Sequence, residues 1–325
     1  MSYLENSLKI RLDAKLKQIQ SIRPLSSSAV LKLKEQLGIE MTYNSNAIEG
    51  NRLTLKETYL VLSEGITIKG KSLKEHLEAK DHYEALNYLY DFIEKDKRHT
   101  ISEVFIRSIQ QLVTKDTNPD YAGSYRTGSV LITGSFHKPP EAGIIPNEMN
   151  KLIHWIQKEK LHPIERAALL HHKLVFIHPF FDGNGRTARL IMNLILMQCG
   201  YPLVLILKND RKRYYDSLTK ADKGDCLPFV RFIALAVERS LNMYLKALLP
   251  ARQNTEVFIP LSAISKKVSY SEKYLNLLAV TGKIEAHKEK RNWVTSFEAV
   301  ERYIKNRMRK RKLSRPTSYT PQPII

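Results

Sequence analysis

Cysteine is scarce in this chain, which has two, Cys199 and Cys226, among its 325 residues. They supply no disulfide framework, so the class of small disulfide-stabilised secreted domains is excluded and a reducing compartment is favoured. Long apolar runs are missing as well, and the first residues contain no apolar signal core. These absences predict a cytoplasmic protein that does not enter a membrane.

Two kinds of catalytic motif are also missing. The pattern GxxxxGK(S/T) does not occur, which argues against a P-loop ATPase or a kinase. His171, His172 and His178 stand close together, but their spacing does not match the i, i+4 arrangement of zinc ligands on a helix. A zinc enzyme is therefore not indicated, and His171 and His172 are interpreted as structural.

Negative charge is in short supply. The chain has 33 acidic and 52 basic residues, for a net charge of +19, and the segment 305–315 holds seven of the basic residues and no acid. This positive charge is suited to binding ATP, an acidic protein partner or nucleic acid. A solubilising surface with a solvated tail would give the same net charge. Charge alone does not choose among these partners.

Helical periodicity is common and strand-like alternation is rare, so the fold class is predicted to be mainly α with a few short β segments. Gly38 is predicted to end a helix. Segment 125–145 breaks the pattern, because its β-branched residues, glycines and prolines are typical of a short hairpin. Helices are predicted at 4–22, 29–37, 40–49, 55–64, 73–95, 102–113, 147–159, 163–177, 187–199, 208–220 and 227–249.

The segment 178–189, HPFFDGNGRTAR, is the most informative stretch. Its glycines let backbone N–H groups converge on an anion, and the helix that follows directs its positive end at the same place. Arg186 and Arg189 share a helix face and can clamp phosphate oxygens together. Asp182 is an oxygen ligand suited to Mg²⁺, and His178 can accept a proton near neutral pH. Five roles that nucleotide chemistry needs coincide at one helix start.

This segment resembles the signature of the Fic family, HPFx(D/E)GNGRxxR, at every defined position. The resemblance implies a helical core and an enzyme that transfers AMP from ATP to a Ser, Thr or Tyr hydroxyl of a target protein. His178 would deprotonate the hydroxyl, and Asp182 would hold Mg²⁺ on the phosphates. The phosphates would be bound by Gly183, Asn184, Gly185, Arg186 and Arg189.

The resemblance to the Fic family also implies roles for two further segments. The hairpin would be the family's flap, where an exposed strand pairs with an extended target segment; the strand is Val130, Leu131, Ile132 and Thr133. Segment 211–225 is similar to the lining of the adenine pocket, with Tyr214 and Tyr215 flanking the base. Asp222 stands where relatives often have Asn, which leaves the preference for ATP open, since ionised Asp only accepts hydrogen bonds.

The residues Ser45, Glu49 and Gly50 match the family's inhibitory motif, (S/T)xxxE(G/N). Taken alone, they would fit an ordinary helix with a glycine cap. Beside the signature, the resemblance implies that Glu49 pairs with Arg189 and withholds it from the γ-phosphate, so that the wild type is a self-inhibited enzyme. In some relatives the same glutamate helps to remove AMP from the target, which stays an alternative activity.

The residues 255–304 are similar to winged helix-turn-helix modules that follow many Fic cores. Helices are predicted at 261–268, 271–280 and 296–304, and wing strands at 282–288 and 291–295. The helix that starts at Ser271 has one lysine, which is little for reading base edges, so a protein-docking or dimerising module is preferred and DNA binding stays open.

The resulting organisation has an N-terminal helical region at 1–95 with the inhibitory motif, a catalytic core at 96–250, the winged module, and a basic tail at 305–325 expected to lack fixed structure. The implied substrate is ATP and the implied cofactor is Mg²⁺. The implied partners are a target protein, the chain itself as a target, and a second copy in a homodimer. An ATP-sensing regulator that binds DNA is the competing function.

Overall fold

The computed structural model describes residues 2–22, 27–95, 100–132, 137–248, 257–289 and 292–313. These residues are mostly helical, which confirms the predicted fold class. Within them, no helix combines the length and the apolar character needed to cross a bilayer. The first ten helices are α1 Asn6–Ser21, α2 Ser27–Ile48, α3 Leu55–Ser63, α4 Leu73–Lys95, α5 Glu103–Thr114, α6 Ile145–Lys158, α7 Pro163–Ile177, α8 Asn184–Gln198, α9 Arg211–Asp222 and α10 Leu227–Leu248.

The chain divides into two compact units, Met1–Leu248 and Leu249–Ile325. The first unit contains both the N-terminal helical region and the catalytic core of the sequence analysis. The inhibitory motif and the signature therefore belong to one packed body, in which the ends of helices α2 and α8 can be compared directly.

Helix α8 is the centre of the first unit. Every residue from 186 to 196 is buried, because the sequence of α8 is apolar on all sides apart from a few polar residues. Helix α7 packs along it, and α4, α5 and α10 surround the pair. This packing places the N-terminal end of α8 inside the molecule, beside the C-terminal end of α7.

Helix α2 runs without interruption through Gly38, so the prediction that this glycine ends a helix is wrong. A Cβ at Gly38 would lie 3.1 Å from Cε2 of Tyr83 on α4. The glycine therefore allows α2 and the Tyr83 ring to approach closely, and the tertiary contact outweighs the poor helix propensity of glycine. The continuous helix carries Ser45 to the site.

No strand occurs between residues 124 and 145 in the part of that segment that the structure describes, so the predicted flap strands are absent there. An isolated two-stranded hairpin is marginally stable, and Pro139 and Pro140 cannot donate to a strand ladder. The described backbone instead turns and is anchored by side chains, chiefly Arg126. Thr133 lies outside the described residues.

The second unit contains β1 Ile259–Pro260, α11 Leu261–Ser265, α12 Glu272–Val280, β2 Ala286–Glu289, β3 Asn292–Thr295 and α13 Phe297–Leu313. The strands form an antiparallel sheet in the order β1-β3-β2, with Ala286 opposite Thr295. Leu275, Leu278 and Val300 lie in its core. The order of helices and wing strands is the predicted one, with β1 added.

The predicted unstructured tail is wrong for residues 305–313, which continue helix α13. Lysine and arginine are good helix formers, so a basic composition does not oppose a helix. Lys305 Nζ also lies 3.6 Å from Glu301 one turn earlier. Residues 314–325 lie outside the described part of the chain.

Candidate active site

His178 directly follows helix α7 and adopts a left-handed backbone conformation, with φ 50° and ψ 58°. Among the described residues it is the only non-glycine residue with positive φ, and such strain is concentrated at functional sites. Its Nδ1 lies 3.2 Å from the carbonyl of Val175. Because a carbonyl only accepts, Nδ1 carries the proton and Nε2 keeps a free lone pair. Burial lowers the pKa of His178, so the imidazole is neutral near neutral pH and can act as a base.

The loop after His178 is fixed by Asn184. Its side-chain amide donates to the carbonyl of Phe180 at 2.8 Å and accepts from the N–H of Phe180 at 3.0 Å. Gln110 donates to the carbonyl of Asp182 at 3.0 Å. The side chain of Asn184 is thus used within the loop, and its contribution to an anion site is limited to its backbone N–H.

Gly183 precedes α8 with φ 79°, and a Cβ at this position would lie 2.9 Å from Thr114. We expect Gly183→Ala to lower the free energy of unfolding by about 1–3 kcal/mol, because both the backbone strain and the steric contact oppose a side chain. Chemical denaturation measures this change. Gly143→Ala is the matched control, since a Cβ there meets nothing within 4 Å, and equal losses for both variants would contradict the account.

Asp182 is held at the entrance of this turn. Its Oδ1 accepts from the N–H of Gly183 at 2.6 Å and from Arg186 Nη2 at 2.9 Å. Burial alone would raise the pKa of Asp182, but the charge of Arg186 and the Gly183 N–H outweigh burial and leave that pKa below its ordinary value. The carboxylate is therefore ionised, and the side chain is 36% exposed.

The donor set near Asp182 fits Mg²⁺ bound together with phosphates. The described residues contain no group of three or more His, Cys, Asp or Glu side chains placed to enclose a metal. Mg²⁺ commonly uses one or two carboxylates, several waters and substrate phosphates, so one ionised and partly exposed carboxylate suffices. Asp182 Oδ2 is not used in a hydrogen bond with any described residue.

Arg186 lies in the first turn of α8 with its guanidinium buried. Beyond the bond to Asp182, its Nε and Nη1 have no hydrogen-bond partner among the described residues. Buried donors without acceptors are costly, and an anion at the N-terminal end of the helix would satisfy them. The first-turn N–H groups of α8 have no intrahelical acceptor either. Together these unpaired donors fit the prediction that the start of α8 binds phosphate.

Arg189 is tied to the inhibitory motif. Its side chain is 1% exposed, and Nη2 lies 2.8 Å from Glu49 Oε1. Nε donates to Ser45 Oγ and Nη2 to the Ser45 carbonyl, both at 2.9 Å. The ion pair expected between Glu49 and Arg189 is therefore present, and Ser45 supports it from the same helix.

Glu49 lies against the N-terminal end of α8. It stands just after α2, where Gly50 with φ 107° turns the chain. A Cβ at Gly185 would collide with Glu49 Oε1, so the carboxylate lies directly against the backbone of the first turn of α8. A negative charge is favoured there by the helix dipole. Glu49 thus lies at the helix end and beside the arginine that the sequence analysis assigned to phosphate binding.

Tyr214 is almost fully buried, and its predicted place beside the adenine stays a prediction. Its ring is buried among aromatic side chains, and its hydroxyl lies 3.0 Å from His171 Nε2 and 3.5 Å from Arg189 Nη1. The sequence-based interpretation of His171 as structural agrees with this contact. Tyr214 therefore contributes to the support of Arg189.

Tyr215 and Asp222 lie nearer the surface. Tyr215 is half-buried, and the guanidinium of Arg211 stacks on its ring at 4.8 Å. Asp222 Oδ1 lies 3.0 Å from His172 Nε2, and since a carboxylate only accepts, the imidazole donates. Of the two tyrosines, Tyr215 is thus the one that could border the adenine pocket expected from the sequence. Asp222 is held by His172, which the sequence analysis interpreted as structural.

The flap segment exposes Leu131, whose side chain is 93% accessible, next to Val130 and Ile132. His137 returns the chain to α7, where its Nε2 lies 2.7 Å from the Phe176 carbonyl. The described flap backbone at residues 130–132 makes no ladder hydrogen bonds.

Sequence reasoning missed Arg126, which links the flap to the catalytic loop. Its Nε donates to the His178 carbonyl at 2.8 Å and Nη1 to the Gly128 carbonyl at 2.9 Å, while Nη2 reaches Pro140. No motif along the chain signalled this role, because its partners are backbone carbonyls and two of them, those of His178 and Pro140, are distant in sequence. A polar residue next to a glycine-rich segment was the one available sign.

The chain is similar in sequence to a known protein family and to named relatives. The profile of the Fic/DOC family matches residues 100–196. A relative from Nematostella vectensis named protein adenylyltransferase Fic is 40% identical over 246 residues, 74% of this chain and 56% of that protein. The chain spans about half the length of the curated relatives that it matches.

Two solved structures extend the similarity to the fold. A Fic domain containing signaling protein from Bacteroides thetaiotaomicron is 33% identical, with a TM-score of 0.65 over 74% of this chain and 96% of that chain. Fic-1 from C. elegans is also 33% identical, with a TM-score of 0.65 over 74% of this chain and 73% of that chain. With the signature geometry at α7 and α8, these matches show that the chain belongs to the Fic family.

Proposed function

We propose that this chain transfers AMP from ATP to a hydroxyl side chain of a target protein. The observation that carries the proposal is the neutral imidazole of His178 beside the anion-binding end of α8. His178 Nε2 takes the proton of the hydroxyl, and the hydroxyl oxygen attacks the α-phosphorus. The bond from that phosphorus to the oxygen leading to the β-phosphate breaks, and pyrophosphate leaves. Relatives named protein adenylyltransferase support this reaction.

The phosphates are bound by the first turn of α8 and by the arginines. The unused donors of Arg186, Nε and Nη1, and the backbone N–H groups of Asn184 and Gly185 supply hydrogen bonds that need no rearrangement. Asp182 would hold Mg²⁺, and the ion would supply positive charge to neutralise the phosphate oxygens. The protein thus acts mainly by positioning and by charge stabilisation, as phosphoryl-type transfer requires.

Glu49 acts as a brake on this reaction. Its carboxylate is bonded to Arg189 and lies against Gly185, so it competes with the γ-phosphate for both the cation and the helix end. ATP can bind in another pose, but its α-phosphorus is then not in line with the target hydroxyl. The glutamate side chain is 38% exposed, so a displaced carboxylate can enter water.

We expect Ser45→Ala to raise the rate of AMP transfer severalfold, by less than removal of Glu49. The hydroxyl is one acceptor of Arg189, and losing it costs the braked state ~1 kcal/mol, while the Ser45 carbonyl and Glu49 still bind. Initial rates with wild type as reference measure this. Ser108→Ala, which removes a hydroxyl bonded to Val104 on α5, is the control. A lower rate in Ser45→Ala would instead assign Ser45 to ATP binding.

The target docks on the flap. The backbone at 130–132 pairs with an extended target segment, and the exposed Leu131 side chain contacts that segment. This pairing holds the target segment so that its hydroxyl lies near His178. The effective concentration of the hydroxyl at the α-phosphorus is thereby raised. A hydroxyl of a second copy can be used in the same way, which would give self-modification in a homodimer.

A second activity uses the same site. One oxygen of Glu49 is bonded to Arg189, and the other has no hydrogen bond with any described residue. A carboxylate oxygen in this position can orient water toward a bound phosphodiester and so remove AMP from a modified target. Release of AMP from a modified target by wild type, lost in Glu49→Gln, would support this activity.

The second unit fits a winged helix-turn-helix that docks protein. Helix α12 would be the recognition helix, but it exposes Leu277 (56%) and Val280 and carries one lysine, Lys273. Apolar side chains read little of a base edge, so these positions favour a protein partner over DNA. DNA affinity that falls steeply with salt and distinguishes sequences would overturn this preference.

The reaction itself is tested with ATP labelled on either the α- or the γ-phosphate. Glu49→Gly protein is incubated with Mg²⁺ and a cell lysate that supplies targets. Label that enters protein from the α position and not from the γ position identifies AMP transfer. Label from the γ position would identify phosphoryl transfer, and a panel of other nucleoside triphosphates would test the preference that Asp222 leaves open.

A further inference from the structure

Arg126 connects three parts of the backbone, and the proposed reaction assigns it no role. Each of its three guanidinium nitrogens donates to a different backbone carbonyl: that of His178, that of Gly128 on the first limb of the flap, and that of Pro140 on the second limb. Its own backbone N–H donates to the Pro179 carbonyl at 2.9 Å. One side chain therefore joins both flap limbs to the residue that carries the base.

This arginine is buried without a counter-ion. It is 2% exposed, and no described carboxylate forms an ion pair with it. Burial lowers its pKa, which reflects the free energy needed to keep a cation away from water. A buried cation bound only to neutral carbonyls contributes little to the stability of a loop, because an apolar residue of similar volume often stabilises a protein as much or more.

The contact with His178 explains why the cation is there. Carbonyls at the C-terminal end of a helix have no donor within the helix, and His178 is the C-cap of α7. Arg126 supplies that donor at 2.8 Å. The strained backbone at His178 sets the direction of the imidazole, and the arginine holds this backbone in place.

The charge of Arg126 also acts on the imidazole. Burial has the largest effect on the pKa of His178 and lowers it, the hydrogen bond to Val175 and the charge of Glu49 raise it, and the positive charge of Arg126 lowers it. The cation therefore favours the neutral form that accepts a proton.

We propose that Arg126 is a positioning residue that fixes His178 and both limbs of the flap as one unit, so that a target segment paired with the flap brings its hydroxyl to Nε2. Arginine alone has the planar set of donors that can reach three carbonyls in different directions. A lysine in its place could keep the charge but hold one or two of them. The inference rests on the proposed AMP transfer.

The experiment compares Arg126→Met and Arg126→Lys in the Glu49→Gly background, with rates divided by the concentration of ATP-binding sites. We expect transfer to fall by about 100-fold in both variants, since a small misplacement of reacting groups costs that much, while the Kd for ATP changes less than about twofold. Arg107→Met is the matched control. Arg107 also donates to a backbone carbonyl, that of Gly123, but contacts neither His178 nor the flap carbonyls.

A second readout does not depend on activity. The pKa of the His178 imidazole, followed by NMR titration, should rise in Arg126→Met, because a positive charge beside it is lost. Transfer per binding site at the level of the parent, together with an unmoved imidazole pKa, would overturn the inference and leave Arg126 a structural residue. An inactive Glu49→Gly parent in which Arg126→Met still raises that pKa would contradict the proposed function and leave the positioning of His178 standing.

Discussion

Glu49→Gly should raise the rate of AMP transfer by roughly 10- to 100-fold, the larger of the two activating effects that we expect. The variant removes a charge-assisted hydrogen bond to Arg189, and such bonds contribute about 1.5–3 kcal/mol, where about 1.4 kcal/mol is a factor of ten in rate. It also clears the backbone of Gly185 for phosphate. Initial rates at saturating ATP measure the change.

Glu49→Gln separates the two parts of this effect. Glutamine keeps the volume against Gly185 but loses the charge that holds Arg189 and repels phosphate. We therefore expect an intermediate rate. Equal rates for wild type, Glu49→Gln and Glu49→Gly would contradict the brake. A Glu49→Gln rate equal to that of Glu49→Gly would show that charge, without volume, carries the inhibition.

His178→Ala in the Glu49→Gly background should lower transfer by about 10²–10⁴-fold, the range that a positioned general base contributes. ATP affinity should be preserved, because the imidazole faces the hydroxyl and the phosphates are bound by α8. The exposed His154 on α6 offers the matched control, and His154→Ala should keep the rate of its parent. Transfer that survives the loss of His178 would assign the base to another group.

The pH profile of the active variant follows from the same residue. A general base works when it is unprotonated, and burial lowers the pKa of His178 below the ordinary value of 6.5. The rate should therefore fall on the acid side with a midpoint below pH 6.5. A midpoint above this value would mean that the imidazole is stabilised as a cation, contrary to the observed surroundings.

The local chemistry of the site was predictable from the sequence. His178, Asp182 and the turn before α8 lie within one short segment, so their proximity is dictated by covalent connection. The pairing of Glu49 with Arg189 spans 140 residues, and it was expected from the family resemblance and not from any local pattern. Both features are present in the structure.

The parts that sequence missed depend on tertiary contacts. Gly38 carries the usual signal of a helix end, but α2 continues through it where the Tyr83 ring packs closely against the helix. Tyr214 is buried and its neighbour Tyr215 is half-buried, and only packing decides this difference. Propensity and periodicity describe one element at a time, so they cannot decide such cases.

In the flap, local composition predicted strands that the described residues do not form. β-Branched residues between 125 and 145 favoured strands, yet the described limbs are held by Arg126, whose acceptors lie on both limbs and at His178. A side chain that satisfies carbonyls across the fold replaces the ladder that composition had suggested. Such a contact becomes visible when the catalytic loop and the flap are placed together.

The most direct test of the account is one labelling measurement on three proteins: wild type, Glu49→Gly, and Glu49→Gly with His178→Ala. Each is incubated with Mg²⁺, ATP labelled on the α-phosphate and the same lysate, and protein-bound label is counted over time. The account predicts faint label with wild type, strong label with Glu49→Gly and none above background with the double variant. Strong label with the double variant, or equal label with all three proteins, would contradict it.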